Sequence, residues 1–267
     1  MPAVETLYVR SDNLEDLLSR PRVAIVGSRK LSVYGRAVTS QFADELARRG
    51  VVIVSGLAYG VDAVAHQAAL DAGGLTIAVL PCSVERVYPA AHSGLAERML
   101  AQGGALISEY PTGSNIAYKN QFIERNRIVS GMSSALLITE AAVNSGTMHT
   151  ARFALEQGKE VLAVPGNITS PTSAGTNNLI RAGATPATRV EDILQLLGMD
   201  RATTRPTVSA SSSDEQLILD LLASNVYDGD QLLSRSSLPI ARFNQTLTMM
   251  ELTGKVKALG ANQWLLS

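Results

Sequence analysis

The sequence predicts an α/β fold, a mostly parallel sheet followed by a small winged helix, and three observations predict it. Short apolar runs alternate with longer helix-patterned segments, glycines fall where those helices would stop, and the alternation ends at a Ser/Thr/Pro-rich stretch. The strand candidates are Val23–Gly27, Val51–Ser55, Thr76–Leu80, Ala105–Glu109, Ala135–Thr139 and Glu160–Val164. Continuous apolar runs of this kind fit strands covered on both faces, as parallel strands are. Between them, Val38–Arg49, Val61–Ala72, Leu95–Gln102, Phe122–Val129, Thr147–Gln157 and Glu191–Leu197 read as helices. Gly50, Gly73, Gly103, Gly131 and Gly158 stand where left-handed caps would end them.

Residues 201–213 (RATTRPTVSASSS) read as a linker between a domain over residues 1–200 and a second over 214–267. In the second, Leu217, Ile218, Leu221 and Leu222 recur at helical spacing, Gly229–Ser234 and Pro239–Leu252 suggest two more helices, and Gly254–Leu266 alternates like a hairpin. Three helices and a hairpin make a winged helix. Residues 214–267 hold six acids against four bases, Arg235, Arg242, Lys255 and Lys257, so protein contact or structural support is expected here rather than duplex reading.

Composition excludes several classes. The 267 residues are 46% hydrophobic with a net charge of −1, so a polyanion site has to be a local concentration of Arg and Lys. Cys82 is the sole cysteine, which rules out an intrachain disulfide and argues against a thiolate metal site; His66, His92 and His149 are scattered singly. No metal or cofactor is expected. No signal-like N-terminus and no apolar run of about 20 residues is present, so a cytoplasmic protein away from membranes is expected.

Ligands of parallel α/β sheets bind beyond the carboxyl ends of the strands. There, Gly27, Ser28 and Arg29 follow the first apolar run, combining a sharp turn, backbone N–H groups and a guanidinium suited to phosphate. Ser55-Gly56-Leu57-Ala58-Tyr59-Gly60 follows the second, leading to Asp62, read as a helix-dipole carboxylate, and His66, read as packing with a possible Asp62 pair. Lys119, Arg125, Asn126 and Arg127 are interleaved with Tyr118 and Phe122; cations beside rings suit phosphates and unstacked bases. Ser145, Gly146 and Thr147 open a helix as a second anion-ready N-terminus. The segment after Val26, GSRKLSVYG, lacks GxGxxG, and no acid ends the second strand, which argues against NAD.

The ordered motifs VGSR, SGLAYGVDAVAH, TIAVL with Tyr88-Pro89, SEYP, RNRIVSG, TEA with SGT, VPG and GTNNLIRAGA, spanning Leu7 to Ala184, resemble the DNA-processing protein A (DprA, or Smf) family. The resemblance implies an extended Rossmann-like domain that binds and protects single-stranded DNA without cutting it, dimerises through that domain, and loads the recombinase RecA during natural transformation. It makes Arg29, Arg125 and Arg127 DNA contacts. Many members carry an N-terminal helical domain, which this chain is expected to lack or to have lost by trimming. Tyr59, Leu75 and Ile123-Glu124 depart from the family pattern toward a thinner basic pocket, with Tyr59 offered as a compensating stacking ring.

Two other readings compete. One is nucleotide sensing or hydrolysis, as in the related nucleoside monophosphate phosphoribohydrolases, against which Thr150 stands where their Glu is expected, although Glu109 and Glu140 end strands. The other is a protein-interaction scaffold with incidental DNA affinity.

Overall fold

A computed structural model describes residues 4–114, 120–199, 210–224, 226–260 and 262–266. The chain divides into two units, Met1–Arg201 and Ala202–Ser267. The first is built on an eight-stranded sheet of β1 (Tyr8–Arg10), β2 (Arg22–Val26), β3 (Val52–Ser55), β4 (Thr76–Val79), β5 (Ala105–Ser108), β6 (Ala135–Ile138), β7 (Glu160–Ala163) and β8 (Thr185–Pro186). Its helices are α1 (Leu14–Ser19), α2 (Val33–Arg48), α3 (Val61–Asp71), α4 (Ser93–Ala101), α5 (Asn120–Gly131), α6 (Thr147–Glu156), α7 (Ala174–Arg181) and α8 (Glu191–Leu196). The strand order is β1-β5-β4-β3-β2-β6-β7-β8, parallel except for β1, which pairs antiparallel with β5.

This order fixes where a ligand can sit. From β2 the chain winds outward through β3, β4 and β5, then returns to place β6 on the other side of β2. The switch point is therefore the crevice beyond the carboxyl ends of β2 and β6. Successive residues of each strand alternate between two covered faces. Val23, Ile25, Ile53 and Leu137 pack with residues of α2, α3 and α8; Ala24, Val26, Val54 and Ile138 pack with residues of α1, α5 and α6. A further cluster joins Leu57, Ala78, Leu80 and Leu106 to Ala96 and Met99 of α4.

All six expected strands lie within one residue of an observed one. Helix α2 starts five residues before the expected Val38, because Ser32 caps it by accepting a hydrogen bond from the Gly35 amide at 3.0 Å. Gly50, Gly73, Gly103 and Gly158 have φ of 78°, 75°, 84° and 67°, whereas Gly131 is a correction: it is the last residue of α5 and is not left-handed. Strands β1 and β8 and helices α1 and α7 are additional to the expected elements.

The second unit holds α9 (Ser213–Ala223), α10 (Gly229–Ser236), α11 (Ile240–Leu252) and the antiparallel pair β9 (Val256–Gly260) and β10 (Gln263–Leu266). Ile218, Leu222, Leu232, Phe243, Leu247 and Met250 form its core. Arg242 pairs with Asp214, and Lys255 pairs with Glu215 at 2.7 Å, so two of the four bases are held by acids of α9. Most of the expected linker, residues 201–209, lies outside the described residues.

Candidate nucleic-acid interface

The loop after β2 is fastened on both sides. The Ser28 amide donates to the Glu140 carbonyl at 2.7 Å, and the Val61 amide at the start of α3 donates to the Ser28 carbonyl at 3.1 Å. Gly60 makes this closure possible. Its φ of 80° and ψ of −125° suit only glycine, and a Cβ there would lie 2.1 Å from the Ser28 carbonyl oxygen and 2.8 Å from Arg29 Cα. The Ser28 hydroxyl donates to the Lys30 carbonyl at 2.6 Å, so it points into its own turn. Arg29 remains exposed, with its guanidinium 5.4 Å from the centre of the Phe122 ring. Tyr88 meets Phe122 edge to face, with centroids 5.3 Å apart and planes at 67°.

Beneath this rim lies a buried electrostatic strut. Arg125, 3% exposed, donates through Nη1 to the carbonyls of Gly56 and Val79, at the ends of β3 and β4, and through Nε to Asn126 Oδ1 at 3.2 Å. Burial lowers its pKa to about 10, and the nearby Asp62 carboxylate opposes that shift, so it stays charged at neutral pH. Asp62 Oδ2 accepts from the Gly56 amide at 3.1 Å and the Ala58 amide at 3.3 Å. Burial raises the Asp62 pKa, with the Arg125 charge and those amides working against it. The carboxylate therefore organises the preceding loop, rather than serving simply as a helix-dipole group. A Cβ on Gly56 would stand 2.2 Å from Arg125 Nη1, which is why a glycine lies over this guanidinium.

His66 is fully buried and pairs with Thr76 rather than Asp62. Thr76 Oγ1 donates to the Ile53 carbonyl at 2.7 Å, so it accepts from His66 Nδ1–H, leaving Nε2 without a partner. Desolvation pushes the His66 pKa down to about 3. Arg127, 7% exposed, forms a two-point ion pair with Glu109 at 2.6 and 3.0 Å.

The residues read from the sequence as one phosphate-binding set thus occupy two layers. Arg29 and Tyr59 face outward; Arg125 and Arg127 are buried and engaged, and Asn126 holds Arg125. The Gly56 amide is taken by Asp62 and the Ser28 amide by Glu140. Around Gly146, the Ser145 hydroxyl donates to Thr147 Oγ1 at 2.9 Å and accepts from the Thr147 amide at 3.2 Å, so the start of α6 is also satisfied internally. Lys119 and Tyr118 lie outside the described residues. Leu75 corrects the thinned-pocket reading: it precedes β4, at the amino end of a parallel strand, so it is remote from the carboxyl-end crevice. Glu124 does lie near, where it accepts from the Tyr110 hydroxyl at 3.0 Å. Tyr88 carries no site signal in the sequence beyond its Tyr-Pro pair.

Comparisons with known proteins identify the family of both units. Residues 3–198 match the DNA recombination-mediator protein A family and residues 201–262 the DprA winged helix domain. The chain is 43% identical over 248 residues to protein Smf of Escherichia coli, covering 89% of this chain and 66% of that one. It is 40% identical over 197 residues to DNA processing protein DprA of Bacillus subtilis, covering 73% of this chain and 64% of the relative. It therefore spans somewhat less than two thirds of the length of these relatives. Among solved structures, DNA processing protein A of Streptococcus pneumoniae is similar with a TM-score of 0.65 and 39% identity, over 71% of this chain and 65% of that one. DNA processing protein A of Helicobacter pylori, solved in a study of its single-stranded DNA binding mode, gives a TM-score of 0.66 and 34% identity, over 74% of this chain and 89% of that one. The two matched domains, with the ordered motifs that run through the first, place this chain in the DNA recombination-mediator protein A (DprA) family.

Proposed function

We propose that this protein binds and protects single-stranded DNA, with Arg29 on a backbone phosphate and the Phe122–Tyr88 pair against a base. The observation that carries the reading is the exposed Arg29 guanidinium beside an aromatic pair at the switch point of the sheet. Phosphates need an uncommitted cation, and only unstacked bases offer faces to rings, which favours a single strand over a duplex. Arg125 and Arg127 act in this reading by positioning the site, and Lys119 adds a second cation from the segment before α5.

The role needs no catalysis and no cofactor. Both strand-end carboxylates are engaged: Glu140 is 1% exposed and accepts from Ser32 Oγ and the Ser32 amide, at 2.5 and 2.9 Å, while Glu109 is paired with Arg127. Thr150 is buried in α6. Loading of RecA, a homodimer through the Rossmann-like unit and a cytoplasmic setting belong to the same proposal and rest on family membership. No helix among the described residues is long and apolar enough to cross a membrane. For the winged helix we propose protein contact or structural support, since Arg242 of α11 is already paired with Asp214.

Binding of labelled oligo-dT and of a duplex of equal length, measured across a salt series, tests the reading. A single-strand preference that weakens with salt and is lost in Arg29→Ala is the expected result. Equal binding of both, or none at low salt, overturns it.

A further inference from the structure

Helices α2 and α3 leave a cleft of about 800 Å³ between them, lined by Arg36, Tyr59, Gly60, Gln67, His92 and Leu95 among others. That volume lies within the range of small-ligand pockets, about 300–1,000 Å³. Gly60 belongs both to this cleft and to the wall behind Arg29, against whose backbone it packs, so the cleft borders the Arg29 site directly. Its lining includes one aromatic ring, one imidazole and one guanidinium, those of Tyr59, His92 and Arg36. Tyr59 is 51% exposed and meets His92 edge to face, with centroids 4.9 Å apart. His92 is anchored in turn by Nδ1–H donating to the Leu57 carbonyl at 2.8 Å. Arg36 is exposed and has no ion pair or side-chain hydrogen bond among the described residues. The cleft's acids are already answered: Asp44 by Arg48 at 2.8 Å, Glu45 by Arg49 at 3.5 Å and Asp71 by Arg98 at 2.7 Å. Arg36 is thus the cation left for a ligand.

We propose that the α2–α3 cleft is a second nucleotide subsite, in which a strand leaving Arg29 crosses Gly60, sets a base against Tyr59 and places a phosphate on Arg36. The proposal rests on the single-strand reading above and extends it. Side chains carry the contact, because the nearby amides of Ser28, Gly56 and Val61 are engaged internally.

The test compares oligo-dT of about 4 and about 16 nucleotides for wild type, Tyr59→Ala, Tyr59→Phe and Arg36→Ala. The short oligomer fits the Arg29 site alone and binds all four proteins alike. The long one binds Tyr59→Ala and Arg36→Ala about tenfold more weakly, and Tyr59→Phe like wild type. Arg36→Ala also flattens the salt slope of the long oligomer by about 0.7. Photocrosslinking of oligo-dT carrying 5-iododeoxyuridine attaches DNA to the Tyr59 peptide. If wild type binds both oligomers while the variants match it at both lengths, and no crosslink reaches Tyr59, the second subsite is overturned and the Arg29 reading stands. If wild type binds neither oligomer, both fail.

Discussion

Arg29 and Arg125 are close enough for their charges to oppose each other, yet they inhabit different media. The first is open to water beside a ring; the second is 3% exposed, bonded to two strand-end carbonyls and balanced by Asp62. The same side chain stands uncommitted toward solvent in one layer and serves as a structural strut in the other. What separates them is the number of protein acceptors each guanidinium meets. A buried charge must be paired and hydrogen-bonded to persist, and Arg125 commits its Nη1 and Nε donors to the protein in meeting that need.

The comparison is sharpest at Arg125. Arg125→Ala leaves the Asp62 carboxylate buried without its counter-charge and strands the Gly56 and Val79 carbonyls, an expected loss of about 3–5 kcal/mol in urea unfolding. Stability equal to that of Arg29→Ala would erase the distinction between the layers. Gly60→Ala comes next, since an alanine must adopt a positive φ with its methyl against the Ser28 carbonyl. About 1–3 kcal/mol of stability should go, and with it the placement of Arg29 and oligo-dT binding.

His66 tests the buried layer by pH. Its folded pKa of about 3 lies below its unfolded value of 6.5, so the unfolded chain takes up a proton that the folded one refuses. Its contribution is complete above the unfolded pKa and is lost as pH falls from 6.5 toward 3. The expected slope is about 1.4 kcal/mol per pH unit in that window. A His66→Gln variant should lack this component, and an unchanged pH profile would count against the burial argument. Arg29→Ala is the smallest in stability, within about 0.5 kcal/mol of wild type. Its effect should fall on single-strand affinity and on the salt slope, which drops by about 0.7.

The central strands were legible because continuous apolar runs such as Val23–Val26 are short, rich in β-branched residues and bounded by turn residues, as doubly covered strands are. Strand β1, three residues with an exposed arginine, carries no such signal; it exists because β5 offers it an open edge. Helix α7 begins Ala-Gly-Thr-Asn-Asn, without the apolar spacing that marks a helix. The exposed position of Arg29 was legible from the strand-to-turn junction. The roles of Arg125 and Asp62 were not, because a run of charge along a helix reads first as a solvated face. A signal was present nonetheless: Ile128 and Val129, three and four residues after Arg125, share its face and are buried. Asp62 likewise shares a face with Ala65 and His66, both buried.

The ends of the large sheet constrain how copies of this chain can meet. On one side lies β1, only three residues long; on the other lies β8, two residues closing on Pro186, which has no N–H to donate. Such short margins offer a foreign strand almost no backbone ladder to extend, which protects the sheet from edge-to-edge aggregation. A homodimer through this unit would have to join helix and loop surfaces, side chain to side chain, and so would be open to disruption by single surface substitutions that leave the sheet untouched.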